Sequence, residues 1–396
     1  MRLGAWDGES WRSLDAGPGG GISDGYVLAL GTYHGDLVAA GYFWTAGGAP
    51  AQGIARYKEA TGWRSLGGGI GPGERNTGVY ALAELNGDLI IGGEFLTAGG
   101  VAVSNIARWT DDPNASGQGH WGTTALGGVD SGQVSTGGWG VFGVHALAAY
   151  NGNLFVGGGF THAGGIETPG IARWDGVPGS SWLPMNPGTT AAATISSLAV
   201  WHGELYAAGQ FSGLDGVVAW NIARWNGAAW SPVGSGIQAG DTRFAFVQGL
   251  ATFNDELIAV GNFWYAGGTG VSGVARWNGQ RWAALGDGSG IMSYSATRRS
   301  ATALWARPFR GQLVAGGYYF DDNLPPIAAT FGIPLFALWG CACPADADGS
   351  GALDAQDIFA FISNWFAHDP RADFNGIDGV TIQDIFDFLN AWFAGC

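Results

Sequence analysis

The residues best suited to chemistry lie near the C-terminus, in two acidic twelve-residue segments, 346–357 and 373–384, which each begin and end with Asp. A twelve-residue loop can hold Ca²⁺ through oxygen ligands at positions 1, 3, 5, 7, 9 and 12, with glycine at position 6 for a sharp bend. The first segment has Gly351 at that bend. We therefore predict a calcium site there, with ligands Asp346, Asp348, Ser350, the backbone carbonyl of Ala352, Asp354 and Asp357.

The second segment follows the same scheme with a shifted middle. Ile377 occupies position 5, Asp378 position 6 and Gly379 position 7. Asp tolerates the left-handed backbone region better than most residues, so Asp378 could turn inwards and act as a ligand. The ligands predicted for this second calcium site are Asp373, Asn375, Asp378, Thr381 and Asp384.

A helix is predicted after each acidic segment, over residues 358–366 and 385–393, because apolar residues recur there in a broad helical stripe. The segment between Cys341 and Cys396 has nine Asp and one Arg. These carboxylates repel one another without a cation, whereas bound calcium would organise the fold. We therefore expect residues 341–396 to form a separate calcium-binding domain of two EF-hand-type loop–helix units.

This duplicated unit resembles a dockerin domain. The start at 343–346 and the Gly-Cys ending at 390–396 are similar to a subgroup carried by exported proteins of planctomycete-type bacteria. Dockerins often bind cohesin modules through Ser or Thr at loop positions 10 and 11, which here are Ala355, Gln356, Ile382 and Gln383. The resemblance implies an anchoring role, with a cohesin-like or other cell-envelope partner. It also implies an extracellular or cell-surface location.

The three cysteines are Cys341, Cys343 and Cys396. One interpretation is a disulfide between Cys343 and Cys396 in an oxidising compartment, which leaves Cys341 as the odd residue or as the exchanged partner. The alternative is three free thiols in a reducing compartment. No His lies near them at a metal-ligand spacing, so a zinc site is not predicted.

The rest of the chain repeats one pattern six times, with steps of 52, 65, 51, 52 and 56 residues between successive units. A period of this size is typical of solenoids and propellers. A leucine opens the second predicted strand, a glycine follows four residues later, and aromatic residues occur two residues further on and in the third strand. The leucines are Leu37, Leu89, Leu154, Leu205, Leu257 and Leu313, and the glycines are Gly41, Gly93, Gly158, Gly209, Gly261 and Gly317.

Each unit predicts four short antiparallel strands, because the pattern has turn signals such as Asn86-Gly87 and Asn151-Gly152 and no helical period. Both faces of a lone four-stranded sheet are exposed to solvent, so the units are expected to stack around an axis as the blades of a propeller. The last unit ends in a third strand at 336–340, and residues 3–14 read as a third and a fourth strand. We predict an all-β, six-bladed β-propeller over residues 1–340, closed by the N-terminal strand. The alternative is an unclosed row of blades.

The blades resemble Kelch repeats, in which two glycines end the second strand and Trp residues follow. The matching residues in two of the units are Gly92-Gly93, Trp109 and Trp121, and Gly157-Gly158, Trp174 and Trp182. The resemblance covers most of the first 340 residues and implies a rigid scaffold with binding loops.

The composition excludes several classes of partner. Charged residues make up 12% of the 396 residues and the formal net charge is −15, so we expect no nucleic-acid partner. No run of about 20 apolar residues is present, and no membrane span is expected. The first residues do not form a secretory signal, and they begin inside a blade. Either the chain enters the cell envelope by another route or a leader peptide is missing from this sequence, and we expect the missing leader.

The connections between strands two and three, and between successive blades, are long and variable. Because both sets emerge on one face of the sheets, that face is the predicted recognition surface for a glycan or a protein; solvated loops without a ligand are the alternative. Its charged residues are Arg75, Asp130, Asp241, Arg243, Arg298 and Arg299. The Arg repeated in the third strand is expected to stack on aromatics or to tie blades together rather than to bind a ligand.

No catalytic motif is present: the six His are scattered, and there is no Gly-x-Ser-x-Gly, Walker-type or His-Glu-x-x-His sequence. The first functional hypothesis is therefore an exported, non-catalytic binding protein. The second is a carbohydrate-active enzyme tethered through its dockerin-like domain. Two carboxylates converging at the centre of the propeller would favour the enzyme.

Overall fold

In the computed structural model, the chain consists mostly of antiparallel β-strands, with two helices near its C-terminal end. The structure describes residues 3–6, 11–14, 20–71, 78–112, 118–124, 128–130, 143–186, 193–239, 245–285, 300–309, 312–320, 333–340, 355–367, 372 and 380–394.

Five sheets have four strands in chain order, and a sixth has three. Sheet 1 contains Tyr26–Tyr33, Asp36–Tyr42, Ile54–Lys58 and Gly62–Ser65; sheet 2 contains Gly78–Leu85, Asp88–Glu94, Ile106–Asp111 and Gly119–Gly122; sheet 3 contains Gly143–Tyr150, Asn153–Gly159, Ile171–Trp174 and Leu183–Pro184. Sheet 4 contains Thr194–Trp201, Glu204–Gln210, Ile222–Trp225 and Trp230–Pro232; sheet 5 contains Phe246–Phe253, Glu256–Asn262, Val274–Trp277 and Trp282–Ala284; sheet 6 contains Ser300–Phe309, Gln312–Phe320 and Ile333–Gly340.

The repeated residues occupy equivalent positions in the ladders. The repeated leucine of the second strand lies directly opposite the third-strand aromatic, as in the pairs Leu154 with Trp174 and Leu313 with Trp339. The turn between the first two strands has positive φ at both central residues, for example 48° at Asn151 and 73° at Gly152. The prediction of repeated antiparallel units is thus confirmed, and His34 and His202 are turn residues, with φ of 48° and 49°.

The repeated glycine is explained by a β-bulge in the first strand. In sheet 3 the register shifts between Val144 and Ala146, and a Cβ built on Gly158 would lie 2.0 Å from the carbonyl oxygen of Gly143. The other four-stranded sheets have the same shift, and the corresponding Cβ would approach a first-strand carbonyl to 2.2 Å or less. No side chain fits there, so only glycine is compatible with this pairing.

The connection between the second and third strands is itself a small hairpin, whereas the sequence predicts a loop there. Its two-residue turns, such as Gly164-Gly165 with φ of 57° and 78°, allow tight closure. The hairpins are Thr45–Ala46 with Ala49–Pro50, Thr97–Ala98 with Val101–Ala102, His162–Ala163 with Ile166–Glu167, Gly213–Leu214 with Val217–Val218, and Tyr265–Ala266 with Thr269–Gly270.

Each sheet packs on the next in chain order, with the first strands of neighbouring sheets in contact from sheet 1 to sheet 6. Tryptophans tie neighbours together: Trp121 Nε1 of sheet 2 donates to the carbonyl of Leu66, 3.1 Å away, and Trp282 Nε1 of sheet 5 donates to that of Val233 at 3.0 Å. The hydrophobic core therefore lies between the sheets rather than at one centre.

The N-terminal residues form a separate hairpin, Gly4–Trp6 paired with Trp11–Ser13. Trp63 Nε1 of sheet 1 donates to the carbonyl of Leu14 at 3.1 Å, which repeats the bond between neighbouring sheets. The hairpin thus occupies the place of third and fourth strands before sheet 1. Among the described residues it shares no ladder with sheet 6, so the predicted pairing that closes the ring is not confirmed.

The two helices are Ala355–Phe366 and Ile382–Ala394, close to the predicted bounds. They pack through Phe361 and Phe388, whose rings stack with centroids 4.0 Å apart. Trp365 Nε1 also donates to the carbonyl of Thr381 at 2.6 Å. Phe361 and Phe388 hold equivalent places in the two loop–helix units, so the internal duplication has a structural counterpart.

Candidate functional site

The connections predicted to share one face of the sheets do lie together. We call this the hairpin face: it comprises the small hairpins and the segments that lead into each sheet. Ile22–Ser23, Val129–Asp130 and Ile237–Gln238, which precede sheets 1, 3 and 5, each pair with the small hairpin of the sheet they enter. The two sets of connections therefore form one continuous surface.

Each small hairpin is held by the same two backbone hydrogen bonds. In sheet 3, Gly158 N–H donates to the carbonyl of Gly170 at 3.0 Å, and Gly170 N–H donates to that of Phe160 at 2.9 Å. Phe160 is buried, as are its equivalents Phe43, Phe95, Phe211 and Phe263. Both bonds recur in sheets 1, 2, 4 and 5, so the hairpins are rigid supports for the side chains at their surface.

Large apolar side chains are exposed on the hairpin face, one or more for each of the first five sheets. Trp44 is 53% exposed, Trp220 46% and Tyr265 43%. The others are Leu96, Val101, Ile166 and Val218. The opposite face, which carries the turns after the first and third strands, exposes only Val177, Leu183 and Val200 among the described large apolar residues. This asymmetry makes the hairpin face the candidate binding surface.

Most of the charged residues predicted for that face lie outside the described residues: Arg75, Asp241, Arg243, Arg298 and Arg299. The backbone of Asp130 is described and pairs with His162. The exposed aromatic residues carry the described part of this surface, and the sequence reasoning did not single them out.

Four of the five repeated third-strand arginines form ion pairs within their own sheets. Arg108 Nη1 lies 2.8 Å from Asp88 Oδ2, and the pairs Arg56 with Asp36, Arg224 with Glu204 and Arg276 with Glu256 have the same arrangement. The acidic partner stands twenty residues earlier in each case. These contacts support a structural role for the arginines.

Arg56 also connects two sheets. Its guanidinium donates to Asp111 of sheet 2 at 2.8 and 3.0 Å and lies 5.0 Å from the centre of the Tyr33 ring. Trp109 Nε1 donates to the same carboxylate at 2.8 Å. Burial alone would raise the pKa of Asp111, but the hydrogen bonds from Arg56 and Trp109 and the charge of Arg56 outweigh it, and the pKa is lowered.

Each β-bulge leaves one residue of the first strand outside the ladder, and together these bulge residues form a row along the contacting first strands. They are Leu28, Tyr80, His145, Ser196 and Gln248. The rings of Tyr80 and His145 lie 5.4 Å apart. Burial, and then the charge of Glu94, raise the pKa of Tyr80 to about 12. The carboxylate of Glu94 therefore lies close enough to Tyr80 for its charge to act on that residue.

The predicted calcium ligands are described only in part. Asp346, Asp348, Ser350, Ala352, Asp354, Asp373, Asn375 and Asp378 lie outside the described residues, as do all three cysteines. Asp357 belongs to the first helix, where only its backbone is described. Within the described part of the chain, no three His, Cys, Asp or Glu side chains are grouped to hold a metal ion.

Thr381 and Asp384 are described, and they meet at the start of the second helix. Asp384 is 0% exposed, and its Oδ2 accepts hydrogen bonds from Thr381 N–H at 2.7 Å and Thr381 Oγ1 at 3.0 Å. This is the contact of a helix-capping box. A buried carboxylate at the last loop position also fits the oxygen-only ligand set that calcium prefers.

Comparisons with known proteins add little to this geometry. No protein-family model matches the chain, and no curated protein matches it. Among solved structures, it is similar to the WD40 β-propeller domain of Doa1, with 10% identity, a TM-score of 0.36 and coverage of 68% of this chain and 71% of that one. It is also similar to YjhT, with 13% identity, a TM-score of 0.38 and coverage of 70% and 88%. Identities and TM-scores this low do not assign the chain to a family, so the Kelch-like and dockerin-like assignments stay predictions.

None of the helices among the described residues has the length and apolar character needed to cross a bilayer.

Proposed function

We propose that this chain is an exported, non-catalytic binding protein. In this proposal the six sheets close into a β-propeller whose hairpin face binds a saccharide, and the C-terminal dockerin-like domain, stabilised by calcium, anchors the protein to a cell-envelope or cohesin-like partner. The single observation that carries the proposal is the set of exposed aromatic residues on the rigid hairpins.

Ring closure is supported by an uncovered face of sheet 1. Tyr26, Leu28 and Leu30 are 56%, 53% and 56% exposed, whereas Leu250, the equivalent of Leu30 in sheet 5, is 5% exposed. In the later sheets this leucine packs on the preceding sheet: a Cβ on Gly31 would lie 3.4 Å from Leu82 Cδ1. Sheet 6 is the unit that would cover Leu30 in a closed ring, and burial of these three side chains would stabilise that closure.

A saccharide is favoured as the ligand because the aromatic side chains are spread over several sheets. A single indole or phenol ring can stack on the apolar face of one sugar unit, while the polar groups beside it bond to hydroxyls. At Trp44 the neighbouring polar residue is Gln52, and at Tyr265 it is Gln238, which pairs with it across the strands. A protein partner would be expected to require a larger contiguous apolar patch.

Substitution of Trp44 and Trp220 by Ala tests the proposal. Both side chains are substantially exposed, so the variant should fold, and its binding on a glycan array should fall at least about tenfold relative to the wild type. Val177→Ala together with Val200→Ala, on the opposite face, serves as the control and should bind normally. Unchanged binding by the tryptophan variant, or loss in both variants, would contradict the assignment.

The second candidate, a tethered carbohydrate-active enzyme, is favoured by one observation. Glu94 is 8% exposed, and its charge acts on Tyr80, a member of the row of bulge residues. This row would line the centre of a closed ring. Glycoside hydrolysis needs a pair of carboxyl groups. Release of reducing sugar by the wild type, abolished in Glu94→Gln, would favour the enzyme over the binding protein.

A further inference from the structure

A groove lies on the hairpin face at the edge of sheet 5, where the small hairpin of that sheet and the segment leading into it both line it. Its volume is about 520 Å³, within the range of roughly 300–1,000 Å³ that small-molecule sites occupy. Two grooves at sheet 1 measure about 100 Å³ and 10 Å³. Trp277 and Trp282 form the apolar part of the larger groove, and Ser235, Thr269, Gln280 and Arg281 form its polar part.

The segment entering sheet 5 passes the indoles slightly farther out than its counterpart in sheet 2. A Cβ built on Gly234 would lie 3.1 Å from Trp277 Cζ3. At the equivalent place in sheet 2, a Cβ on Gly67 would lie 2.4 Å from Trp109 Cζ3. Trp277 is 5% exposed and Trp282 4%, so the indoles present only their edges to the groove.

Sheet 4 shows that the turn does not require the polar residues of the groove. Its turn reads Trp-Asn-Gly-Ala-Ala-Trp, where sheet 5 has Trp-Asn-Gly-Gln-Arg-Trp. In sheet 4, Asn226 Oδ1 accepts from the N–H groups of Ala228 and Ala229 at 2.9 and 3.0 Å. In sheet 5, Asn278 Oδ1 accepts from those of Gln280 and Arg281 at 3.0 and 2.9 Å. The same backbone thus forms with Ala-Ala, so the Gln280 and Arg281 side chains are available for another role.

A further observation points to a ligand. Among the described residues, no carboxylate pairs with Arg281, although the chain carries a net charge of −15 and the third-strand arginine of this sheet has an acidic partner. An unpaired guanidinium suits an anion, and Arg binds carboxylate and sulfate groups in a planar, bidentate manner.

We propose that this groove binds a short saccharide that bears an anionic group. Arg281 pairs with the anion, Gln280, Thr269 and Ser235 bond to hydroxyls, and the exposed edges of Trp277 and Trp282 contact the apolar part of a sugar ring. The ligand is short because the acidic chain repels a long polyanion. The inference rests on the proposed saccharide-binding function and concerns one part of the hairpin face.

Calorimetric titration of the full chain with a galacturonic acid trisaccharide, a sulfated galactose trisaccharide and a neutral galactose trisaccharide tests the groove. The two anionic probes distinguish a carboxylate from a sulfate ligand. We expect one of them to bind, to weaken as salt is raised, and to exceed the neutral probe at least about tenfold. Binding of the neutral probe with equal affinity, or no binding of either anionic probe at millimolar concentration, would overturn the proposal.

The variant Gln280→Ala with Arg281→Ala restores the sequence of the sheet 4 turn, so it should fold and should lose at least about tenfold in affinity for the anionic probe. Ala229→Arg with Arg281→Ala keeps the net charge and moves the cation to sheet 4; it should lose binding equally. If these variants bind normally while Trp44→Ala with Trp220→Ala loses the probe, the ligand lies at the exposed tryptophans, and only the groove is refuted. Thermal unfolding measured on every variant confirms that each one is folded.

Discussion

The ion pair between sheets 1 and 2 predicts a graded loss of stability. Arg56 is 6% exposed and shares its guanidinium between Asp36 and Asp111. Replacement of Asp111 by Asn keeps the size and an acceptor but removes one charge from a buried pair. Because a hydrogen bond to a charged group contributes about 1.5–3 kcal/mol, we expect the free energy of unfolding to fall by about 2 kcal/mol.

The chain offers a matched control for this substitution. Arg276 and Glu256 form the equivalent pair within sheet 5, but Arg276 is 46% exposed, and an exposed ion pair contributes less than about 1 kcal/mol. In differential scanning calorimetry at pH 7, Asp111→Asn should lower the melting temperature by about 4–8 °C, since 1 kcal/mol corresponds to about 2–4 °C for a large domain. Glu256→Gln should lower it by less than half as much.

The lowered pKa of Asp111 determines how the difference in melting temperature between the wild type and Asp111→Asn depends on pH. The folded pKa lies below the unfolded value of about 3.9, so the stabilisation is fully present above that value and is lost as the pH falls through the folded pKa. The melting temperatures of the wild type and Asp111→Asn should stay apart from pH 7 to about pH 5 and draw together as the pH falls below about 3.9 towards the lowered folded pKa. Equal melting of Asp111→Asn and Glu256→Gln at pH 7, or a gap that does not narrow as the pH falls below about 3.9, would refute the reasoning.

Three further predictions follow from other parts of the structure. Gly158→Ala should cost about 3 kcal/mol in unfolding free energy, because its Cβ would meet the Gly143 carbonyl, whereas Gly270→Ala, with nothing within 4 Å of its Cβ, should be nearly neutral in urea titration. Trp63→Phe removes the bond to the Leu14 carbonyl, so hydrogen exchange should accelerate across the N-terminal hairpin and stay unchanged in sheet 4; equal acceleration in both would show a global effect. Asp346→Ala with Asp357→Ala, or a calcium chelator, should abolish a separate melting transition and part of the helical circular dichroism while the sheets melt as before; insensitivity to both treatments would exclude the calcium assignment.

The sequence could predict the sheet pattern because its signals are local and repeated. The leucine and the aromatic that it aligns are direct partners across the ladder, as in Leu154 with Trp174. The role of the glycine at Gly158 was not predictable, because the bulge that brings the Gly143 carbonyl close leaves no mark of its own in the sequence. The small hairpins were missed, although the Gly-Gly pairs between the second and third strands are a turn signal.

The candidate site was predictable to a smaller extent. An acidic residue stands twenty residues before four of the five repeated arginines, as Asp88 stands before Arg108, and this spacing could have identified those pairs. The contact of Arg56 with Asp111 could not be found in this way, because it joins two sheets and occurs in one repeat. Exposure of Trp44 and Trp220 depends on how the hairpins pack, which periodicity does not encode.

Because the five small hairpins are held by the same backbone hydrogen bonds, one can be exchanged for another. Each leaves and rejoins its sheet through the same two backbone hydrogen bonds, the first of which, from the repeated glycine N–H, measures 3.0 or 3.1 Å. A hairpin transplanted from sheet 5 into sheet 2 would bring its own tyrosine to a new location without altering the strands beneath it. Exchange of these hairpins, by design or by gene duplication, would change the residues of the outer surface while the sheets stay the same.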